Sequence, residues 1–458
     1  MALGRRRIGL LVLGVAVAAA VVALVLALRG GTTESDALPR AASSKRVVIG
    51  PTSQVDLGKA AALHVRINVP PGMHGTVRAG IAAPGQSIAA ISQPVAVRRA
   101  GWTRLSLPIL PAGAARLNSC AVRQLSVSLR NGDGQVVARR TRNLAPVPPR
   151  CGRFFGRSAI WNQPLPAKAP VDPRSSALVG RLAQEVRSEF SRNFNPTINT
   201  TSFSAPVYTV PATQRRVPVQ LVGSRLAYGG KLAAILRAGV PIPPSARPAA
   251  GSDKHMVIWQ PATDTMWELW VTENQRGRWT AQWGGMMQGV SKGPGYFSDP
   301  TGIQPGATAT SLPLVGGLIT QADLARGSIN HALAMAIPSS RYGVWAWPAQ
   351  RSDGGDRSPL AIPAGARFRL DPSLDIDSMH LPPFTAMLAK AAQRYGIYVR
   401  DTSPVVTLYA EDPASIGSNP WPGAITPSVG AVLRAFPWDR LQVMRMSLFT
   451  YSGKRVKN

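Results

Sequence analysis

The chain has 458 residues, of which 52 are Lys or Arg and 22 are Asp or Glu, giving a formal net charge of +30. Only 16% of the residues are charged, so the excess reflects a shortage of acids as much as a surplus of bases. A net positive charge of this size favours an anionic partner, such as a cell-wall polymer or an acidic polysaccharide. An arginine-rich composition without any specific partner explains the same numbers. Nucleic acid is not expected as a partner, because the sequence contains no recognisable nucleic-acid-binding module.

The N-terminus predicts a membrane anchor. Three arginines at positions 5–7 precede an uncharged apolar run at residues 8–28. A run of that length can span a bilayer core, and the arginines in front of it should remain cytoplasmic. We therefore predict a basic stub and signal anchor at 1–29 and a polar linker at 30–46, in a single-pass membrane protein whose bulk lies outside the cytoplasm. Cleavage after the apolar run would instead release a secreted protein.

Residues 47–147 show the pattern of a small β-sandwich, with short β-like runs separated by turn residues. The segment Asn131–Gly134 lies between the last two runs and is a strong hairpin signal. No constellation of polar residues occurs in this region. We therefore predict an accessory module or a spacer.

The two cysteines, Cys120 and Cys151, lack the spacing of a metal or redox site. In an exported chain we expect them to form a disulfide, worth roughly 3.5 kcal/mol by the loop-closure estimate. The five histidines are scattered without a zinc-binding spacing, so no dedicated metal site and no cofactor are expected. The sequence does not exclude a calcium-binding site, because oxygen ligands from distant loops leave no spacing signature.

Residues 153–440 are predicted to form the larger domain, followed by a basic C-terminal tail at 441–458. Apolar residues recur with helical spacing at 176–191 and 384–395, while strand-like segments outnumber helical ones elsewhere. The whole chain is therefore predicted to be mainly β. It should contain a small N-terminal β-sandwich and a larger β-rich sandwich or jelly-roll-like domain with a few peripheral helices.

The most informative segment is 253–284, which contains five of the 11 tryptophans. It predicts three short strands joined by four-residue loops at 261–264 and 274–277. In that register Glu268 faces Val257 in the first hairpin and Trp283 in the second. Likewise His255 faces Trp270, and Thr272 faces Trp279. Because strand side chains alternate between faces, one face then carries His255, Trp259, Glu268, Trp270, Trp279 and Trp283.

The face around Glu268 has two interpretations. A carboxylate and an imidazole among indole rings can form a sugar-binding surface. The same residues can also form a hydrophobic core with one buried acid, since tryptophan is highly buried on average. Glutamate is almost never fully buried without a partner, so the sequence favours neither interpretation over the other.

Further candidate residues lie in the larger domain. Asn330 and His331 place an amide beside an imidazole, with a helix cap or a structural histidine as the alternatives. Arg367, Arg369 and Asp371 share one face of a predicted strand, which could clamp an anionic group or form a solvated row of ion pairs. Another set could line the same cleft as the meander: Trp161, Asn162, Tyr342, Trp345, Trp347, Arg351 and Asp353.

Most of residues 155–415 resemble a family of secreted bacterial proteins, found mainly in actinobacteria and their relatives. The resemblance implies a common exported, folded domain, in which a histidine and an acid in neighbouring strands correspond to His255 and Glu268. It supplies no reaction, and it excludes the module at 47–147. The segments that carry it are GATATSLPLVGGLIT (306–320), GSINHALAMAIP (327–338), AGARFRLDPSLDI (364–376) and RYGIYVRD (394–401).

The residues favour an enzyme that acts on a cell-wall or extracellular polysaccharide, and a glycoside hydrolase is the leading hypothesis. Glu268 is the candidate acid, with a pKa raised by its apolar neighbours. Asp253, Asp371 and Asp401 are candidates for the second carboxylate that this chemistry requires. The expected ligand-binding residues are Trp259, Trp270, Trp279, Trp283, Asn330, Arg367 and Arg369.

Two other classes of function fit the same residues. In a polysaccharide lyase acting on an acidic glycan, Asn330 or an arginine would neutralise the uronate, and His255, His331 or a tyrosine would act as base. In a non-catalytic surface protein, aromatic side chains and a basic exterior would suffice to bind a glycan or the cell wall. An assembly protein whose tryptophans form its core is a third possibility.

Overall fold

The computed structural model describes residues 46–49, 62–69, 74–83, 86–96, 101–108 and 123–144, and then residues 153–456 apart from 193, 225–228, 299–304 and 416–418. The predicted anchor, most of the predicted linker and both cysteines of the predicted disulfide lie outside these residues. Within them, no helix combines the length and the apolar character that a bilayer crossing requires.

The fold is mainly β, as the sequence predicts, and its N-terminal region consists of two antiparallel sheets. The strands of this region are β1 (Arg46–Ile49), β2 (Ala62–Val69), β3 (His74–Ala83), β4 (Gln86–Ala96), β5 (Gly101–Pro108), β6 (Arg123–Asn131) and β7 (Val136–Leu144). Their orders are β1-β2-β5 and β4-β3-β6-β7. Val65 and Ile67 of the first sheet and Val77 and Val127 of the second are completely buried, as inward-facing sandwich residues should be. The β6–β7 hairpin turns at the predicted position.

Residues 153–456 contain the remaining strands. Those of the first half are β8 (Thr197–Asn199), β9 (Val207–Thr209), β10 (Val219–Leu221), β11 (Met256–Gln260), β12 (Thr265–Trp270), β13 (Glu273–Gln275), β14 (Arg278–Ala281) and β15 (Trp283–Gln288). Those of the second half are β16 (Leu333–Ile337), β17 (Val344–Ala346), β18 (Arg367–Leu370), β19 (Ile397–Thr402), β20 (Thr407–Tyr409), β21 (Leu441–Val443), β22 (Leu448–Thr450) and β23 (Arg455–Val456).

The helices are α1 (Ser175–Ser191), α2 (Gly230–Arg237), α3 (Gln321–Arg326), α4 (Pro383–Arg394), α5 (Trp421–Ala424) and α6 (Val429–Arg434). The two helices predicted from apolar spacing are present as α1 and α4. Leu178, Leu182 and Val186 form the buried stripe of α1, because residues spaced by three or four positions share a helix face. The chain leaves α4 through Gly396, whose φ of +83° suits glycine.

The largest sheet has six strands in the order β21-β18-β19-β16-β20-β8. It is mixed, because β16 runs parallel to β19 while β18 and β20 run antiparallel to their neighbours β19 and β16. The side chains of β16 alternate between two cores. Leu333 and Met335 pack in one cluster with α1 and α4, whereas Ala334 packs in a second cluster on the opposite face.

A four-stranded sheet, β15-β12-β11-β9, carries the tryptophan-rich segment. One of its faces contributes Val257 and Met266 to the same second cluster, which also contains Ala334 and Tyr409 of the six-stranded sheet. The opposite face, including Trp267, packs against α2. The Glu268 region therefore lies between two sheets.

The folded region extends beyond residue 440, where the sequence predicts a tail. Strand β21 pairs with β18 in the six-stranded sheet, and β22 pairs with both β17 and β23. Leu441, Val443 and Leu448 are buried. Apolar alternation thus determines the structure of this segment, in spite of its basic ending.

Candidate functional site

The first hairpin of the tryptophan-rich segment has the predicted register. Val257 lies opposite Glu268, and Gln260 lies opposite Thr265 at the closed end. The loop between them ends at Asp264, which adopts the left-handed conformation with φ of +50°. Aspartate tolerates that region better than most residues, so the loop sequence supports the register.

The second turn differs from the prediction. Strands β13 and β14 form a tight hairpin in which Gln275 lies opposite Arg278, so only Arg276 and Gly277 form the turn. Both have positive φ, 52° and 88°, which is the geometry of a two-residue turn that follows strand twist. The predicted four-residue loop was therefore wrong.

The shorter turn changes which residues face Glu268. Gly285 lies opposite Glu268, and Trp283 lies opposite Trp270, whereas the prediction placed Trp283 opposite Glu268. Trp279 lies opposite Asn274 and not Thr272. The predicted pairs Glu268–Trp283 and Thr272–Trp279 are therefore wrong.

The predicted aromatic surface around Glu268 does not form. Trp279 and Trp283 are buried with Trp267 in the cluster that packs against α2. Trp259 and Trp270 are half-buried and pack against the cluster on the other face, which contains Val257. The indole N–H of Trp270 donates to Asp253 Oδ1 at 3.3 Å. The expectation that four indoles line one open face is therefore wrong, because two of them serve the opposite core.

Glu268 itself is buried, with 1% of its surface exposed. Its carboxylate accepts hydrogen bonds from the backbone N–H of Ala307 at 2.6 Å and of Leu314 at 2.8 Å. Burial raises its pKa to about 7, because a carboxylate loses hydration there, and the two N–H donors and the nearby Arg400 oppose that rise. Of the two interpretations of this face, the structure has the buried acid.

Glu268 binds a segment that we call the central loop, residues 305–317. This loop is almost entirely buried and has no regular secondary structure, so charged side chains satisfy much of its backbone. Arg351 donates to the carbonyls of Gly306 and Thr308 at 2.8 and 2.7 Å. Arg400 donates to the carbonyls of Leu314 and Gly316 at 2.5 and 2.9 Å.

His255 is brought close to Glu268, as the sequence predicts, but it is also buried. The backbone of Ala307 and of Ser204 forms hydrogen bonds with its ring, so Ala307 links it to Glu268. Burial lowers the pKa of His255 to about 4, with Arg400 acting in the same direction and Asp253 opposing it. A neutral imidazole held by backbone groups supports the central loop and is poorly placed to act as a base on a polymer.

A β-bulge in β19 places two adjacent charged residues against the central loop. Met335 pairs with Val399 and Ala336 with Asp401, so Arg400 is the extra residue. In a regular strand, Arg400 and Asp401 would point to opposite faces; here both contact the central loop. Bulges of this kind occur frequently next to active sites.

Asp401 and Asp353 are two carboxyl groups in contrasting environments, which we call the Asp353–Asp401 pair. Thr402 bridges them: its hydroxyl donates to Asp353 Oδ2 at 2.8 Å, and its N–H donates to Asp401 Oδ1 at 3.1 Å. Asp401 is half-buried and also accepts the N–H of Ala309 at 3.1 Å, whereas Asp353 is exposed. Burial raises the pKa of Asp401 to about 7; Arg400 opposes that rise and Asp353 adds to it.

An exposed ring, Trp347, and a half-buried ring, Tyr296, lie on segments next to the central loop. Trp347 is 49% exposed, and its ring meets that of Tyr296 edge to face at a centroid distance of 5.6 Å. Between Trp347 and Asp353, the N–H of Gln350 donates to the carbonyl of Thr310 in the central loop at 3.0 Å. The segment that carries Trp347 and Asp353 is therefore attached to the same loop that Asp401 contacts.

His331, another predicted site residue, has partners within the fold. His331 contacts Asp323 Oδ2 through Nε2 at 3.1 Å and the carbonyl of Ala332 through Nδ1 at 2.8 Å. Both ring nitrogens are thus engaged by oxygen atoms of the protein itself. Its neighbour Asn330 is half-buried. Neither residue adjoins the Asp353–Asp401 pair through any hydrogen bond among the described residues.

The predicted anion clamp is also used internally. Arg367 donates to the carbonyl of Tyr395 at 3.0 Å, and Arg369 donates to those of Pro166 and Ala167 at 2.8 and 3.2 Å. Asp371 accepts from Ser373 and Arg440 instead of pairing with those arginines. Hydrogen bonding lowers the pKa of Asp371, which suits a turn carboxylate and not a proton donor.

The sequence contains a partial signal for the carboxyl pair. Asp401 is among the predicted second carboxylates, and Asp353 is among the residues expected to line a cleft. Nothing in their spacing links them, because their proximity depends on the bulge and on Thr402. Among the described residues, no group of three or more His, Cys, Asp and Glu side chains is placed to hold a metal ion. No protein-family model and no curated protein matches this sequence.

Proposed function

We propose that the protein is an extracytoplasmic, membrane-anchored glycoside hydrolase whose catalytic carboxyls are the Asp353–Asp401 pair. The observation that carries the proposal is the contrast between the two groups. One carboxyl is half-buried, with a pKa raised to about 7, while the other is exposed and bridged to it by Thr402. Pairs of carboxyls in such different environments divide the roles of acid and base or nucleophile.

Asp401 is assigned the role of general acid. A carboxyl with a pKa of about 7 keeps its proton near neutral pH, so it can donate that proton to the leaving glycosidic oxygen. Asp353 then either attacks the sugar directly or activates a water, and the separation of the two carboxyls around a bound sugar sets the stereochemical outcome. Arg400 and the N–H of Ala309 hold Asp401 in place.

Trp347 and Tyr296 are assigned to substrate positioning. An aromatic ring offers a large rigid face at little entropic cost, and a sugar ring has apolar C–H faces that can stack on it. The exposed face of Trp347 lies on the segment that leads directly to Asp353. A polymer bound there would be close to the carboxyl pair.

To test this assignment, the full-length protein is incubated with neutral and acidic polysaccharides, and the release of reducing ends is measured. We expect Asp401→Asn and Asp353→Asn each to reduce hydrolysis by at least a hundredfold, the usual contribution of a positioned acid or base. The rate of the unaltered enzyme should fall as pH rises through about 7, because Asp401 then loses its proton.

The matched control is Asp377→Asn, which removes an exposed carboxylate that pairs with Lys390 on the surface. It should leave hydrolysis unchanged. Equal rates for Asp401→Asn and Asp377→Asn would refute the catalytic assignment.

A non-catalytic glycan-binding protein is the second candidate, favoured by the exposed rings of Tyr342, Trp347 and Tyr451, which are 50%, 49% and 64% exposed. Such rings can bind a polymer without any carboxyl pair. Binding of a polysaccharide that releases no products, and that Asp401→Asn does not alter, would select this function.

A further inference from the structure

Arg357 forms a pre-oriented cationic surface on the segment that carries Asp353. Its guanidinium carbon lies 3.7 Å from the centroid of the Tyr342 ring, and both residues are exposed. Stacking restrains the guanidinium plane while its N–H donors remain at the edge. That edge matches the geometry of a carboxylate or another oxyanion.

The charge of Arg357 is not neutralised by the acid that precedes it. Asp356 is engaged by Arg181 through Oδ2, and its Oδ1 accepts the N–H of Ser358 at 2.8 Å. Among the described residues, no ion pair includes Arg357. The guanidinium is therefore available to an anion from solution.

The position of Arg357 connects it with Asp353. The two lie four positions apart in sequence, so their Cα atoms are at most about 14 Å apart. The intervening chain is fixed against the segment that leads into β17: the N–H of Tyr342 donates to the carbonyl of Asp356 at 2.8 Å, and the hydroxyls of Ser340 and Ser352 are 3.3 Å apart. The cation and the carboxyl thus lie on one ordered surface.

We propose that Arg357, stacked on Tyr342, is a subsite that binds an acidic group on the substrate, and that the substrate is therefore an anionic polysaccharide. This inference rests on the proposed function, because it assigns the substrate class of that same site. The composition agrees with it, since the chain carries 30 more basic than acidic residues. The acidic group is a uronate carboxylate or a sulfate ester, which share the oxyanion chemistry that a guanidinium binds.

The experiment measures equilibrium binding by the full-length protein carrying Asp401→Asn, so that bound polymer is not consumed. The probes are polygalacturonate, dextran sulfate and neutral dextran. Adding Arg357→Gln should weaken binding of the preferred acidic polymer about tenfold, as expected for the loss of one charge-assisted contact. Binding of neutral dextran should not change, and the stronger of the two acidic probes identifies the carboxylate or the sulfate.

The control substitution is Arg237→Gln, which removes an exposed arginine at the end of α2. It should leave all three affinities unchanged, because it alters the net charge without altering the subsite. Equal affinities in the Arg357→Gln and Arg237→Gln proteins would overturn the inference. So would binding of neutral dextran as tight as that of either acidic polymer.

Failure of the inference and failure of the proposed function are separable. Loss of acidic-polymer binding in Arg357→Gln supports the subsite even if the unaltered protein cleaves nothing. Absence of cleavage would reject only the proposed hydrolysis. Cleavage of neutral dextran at the same rate as polygalacturonate would reject the subsite and leave the hydrolysis standing.

Discussion

Glu268 is a buried carboxylate whose two oxygens each accept one backbone N–H, from Ala307 and Leu314. Those N–H groups belong to a buried irregular loop, and in the described part of the chain they have no other hydrogen-bond acceptor. Because an unsatisfied buried donor costs about 1–3 kcal/mol, the carboxylate stabilises the loop even though burial raises its own pKa. Its role is thus explained by the backbone that it binds.

Replacing Glu268 with glutamine should destabilise the protein by about 1–3 kcal/mol. An amide has a single acceptor oxygen, so one of the two N–H groups would face an NH₂ group. Chemical unfolding monitored by tryptophan fluorescence measures the effect, and the turnover per folded molecule should stay within a factor of a few.

The comparison for Glu268→Gln is Glu185→Gln, at a partly exposed residue of α1 that pairs with Arg192 on the surface. A surface ion pair contributes at most about 1 kcal/mol, so the free energy of unfolding of this variant should be close to that of the unaltered protein. Unchanged stability in Glu268→Gln, with catalysis abolished, would instead make Glu268 the acid.

Part of the candidate site can be predicted from the sequence. The pairing of Val257 with Glu268 follows from a loop that contains an aspartate and from strand alternation, and the structure has this pairing. The direction in which Glu268 faces is not predictable, since it depends on a loop about forty residues away in sequence. The Asp353–Asp401 pair likewise requires the extra residue Arg400, which no strand-spacing rule predicts.

At the scale of elements, the central loop packs against β16 through Gly317. The φ of Gly317 is +72°, and a Cβ there would lie 2.4 Å from the N of Ala334. The N–H of Ala334 donates to the carbonyl of Gly317 at 3.1 Å. A side chain at this position would therefore push the loop away from the sheet.

Gly317→Ala should destabilise the protein by more than the roughly 1 kcal/mol that a left-handed conformation alone costs a non-glycine residue. Gly327 is the matched control, because it has the same φ of +72° and a Cβ there would meet nothing within 4 Å. The difference between the two unfolding free energies isolates the steric contribution. Equal losses would show that the loop can shift without cost.

The elements differ in how well the sequence predicts them. The helices α1 and α4 follow from apolar spacing, because their buried stripes are long enough to be distinctive. Strand β16 is short and buried on both faces, so alternation cannot identify it. The parallel pairs β16–β19 and β20–β8 join segments that are distant in sequence, so the mixed sheet could not be predicted.

At the scale of the whole molecule, several carboxyls have pKa values raised by burial. Glu189, Glu268, Asp401 and Glu411 are raised to about 7, and Asp412 to about 6. Between pH 5 and 7 the folded state therefore binds protons that the unfolded chain releases, and its stability falls as pH rises. His255 acts in the opposite direction with a single proton, since its pKa is lowered to about 4.

We expect the melting temperature to be several degrees higher at pH 5 than at pH 7.5, as measured by differential scanning calorimetry. Glu411→Gln should flatten this dependence, because it removes one buried titrating group, whereas the exposed Asp377→Asn should not. A melting temperature that rises between pH 5 and pH 7.5 would contradict the raised pKa values.

The arginines that bind backbone carbonyls affect how strongly the molecule binds to a cation-exchange resin. Arg369 and Arg400 are 3% and 1% exposed, so their guanidinium groups hold no counterions at the surface. The planar guanidinium fork of arginine is pre-organised to bind two carbonyls at fixed positions, whereas the ammonium of lysine is a compact, strongly hydrated charge. Retention on a cation-exchange resin should consequently follow the outward-facing arginines and fall short of what the composition suggests.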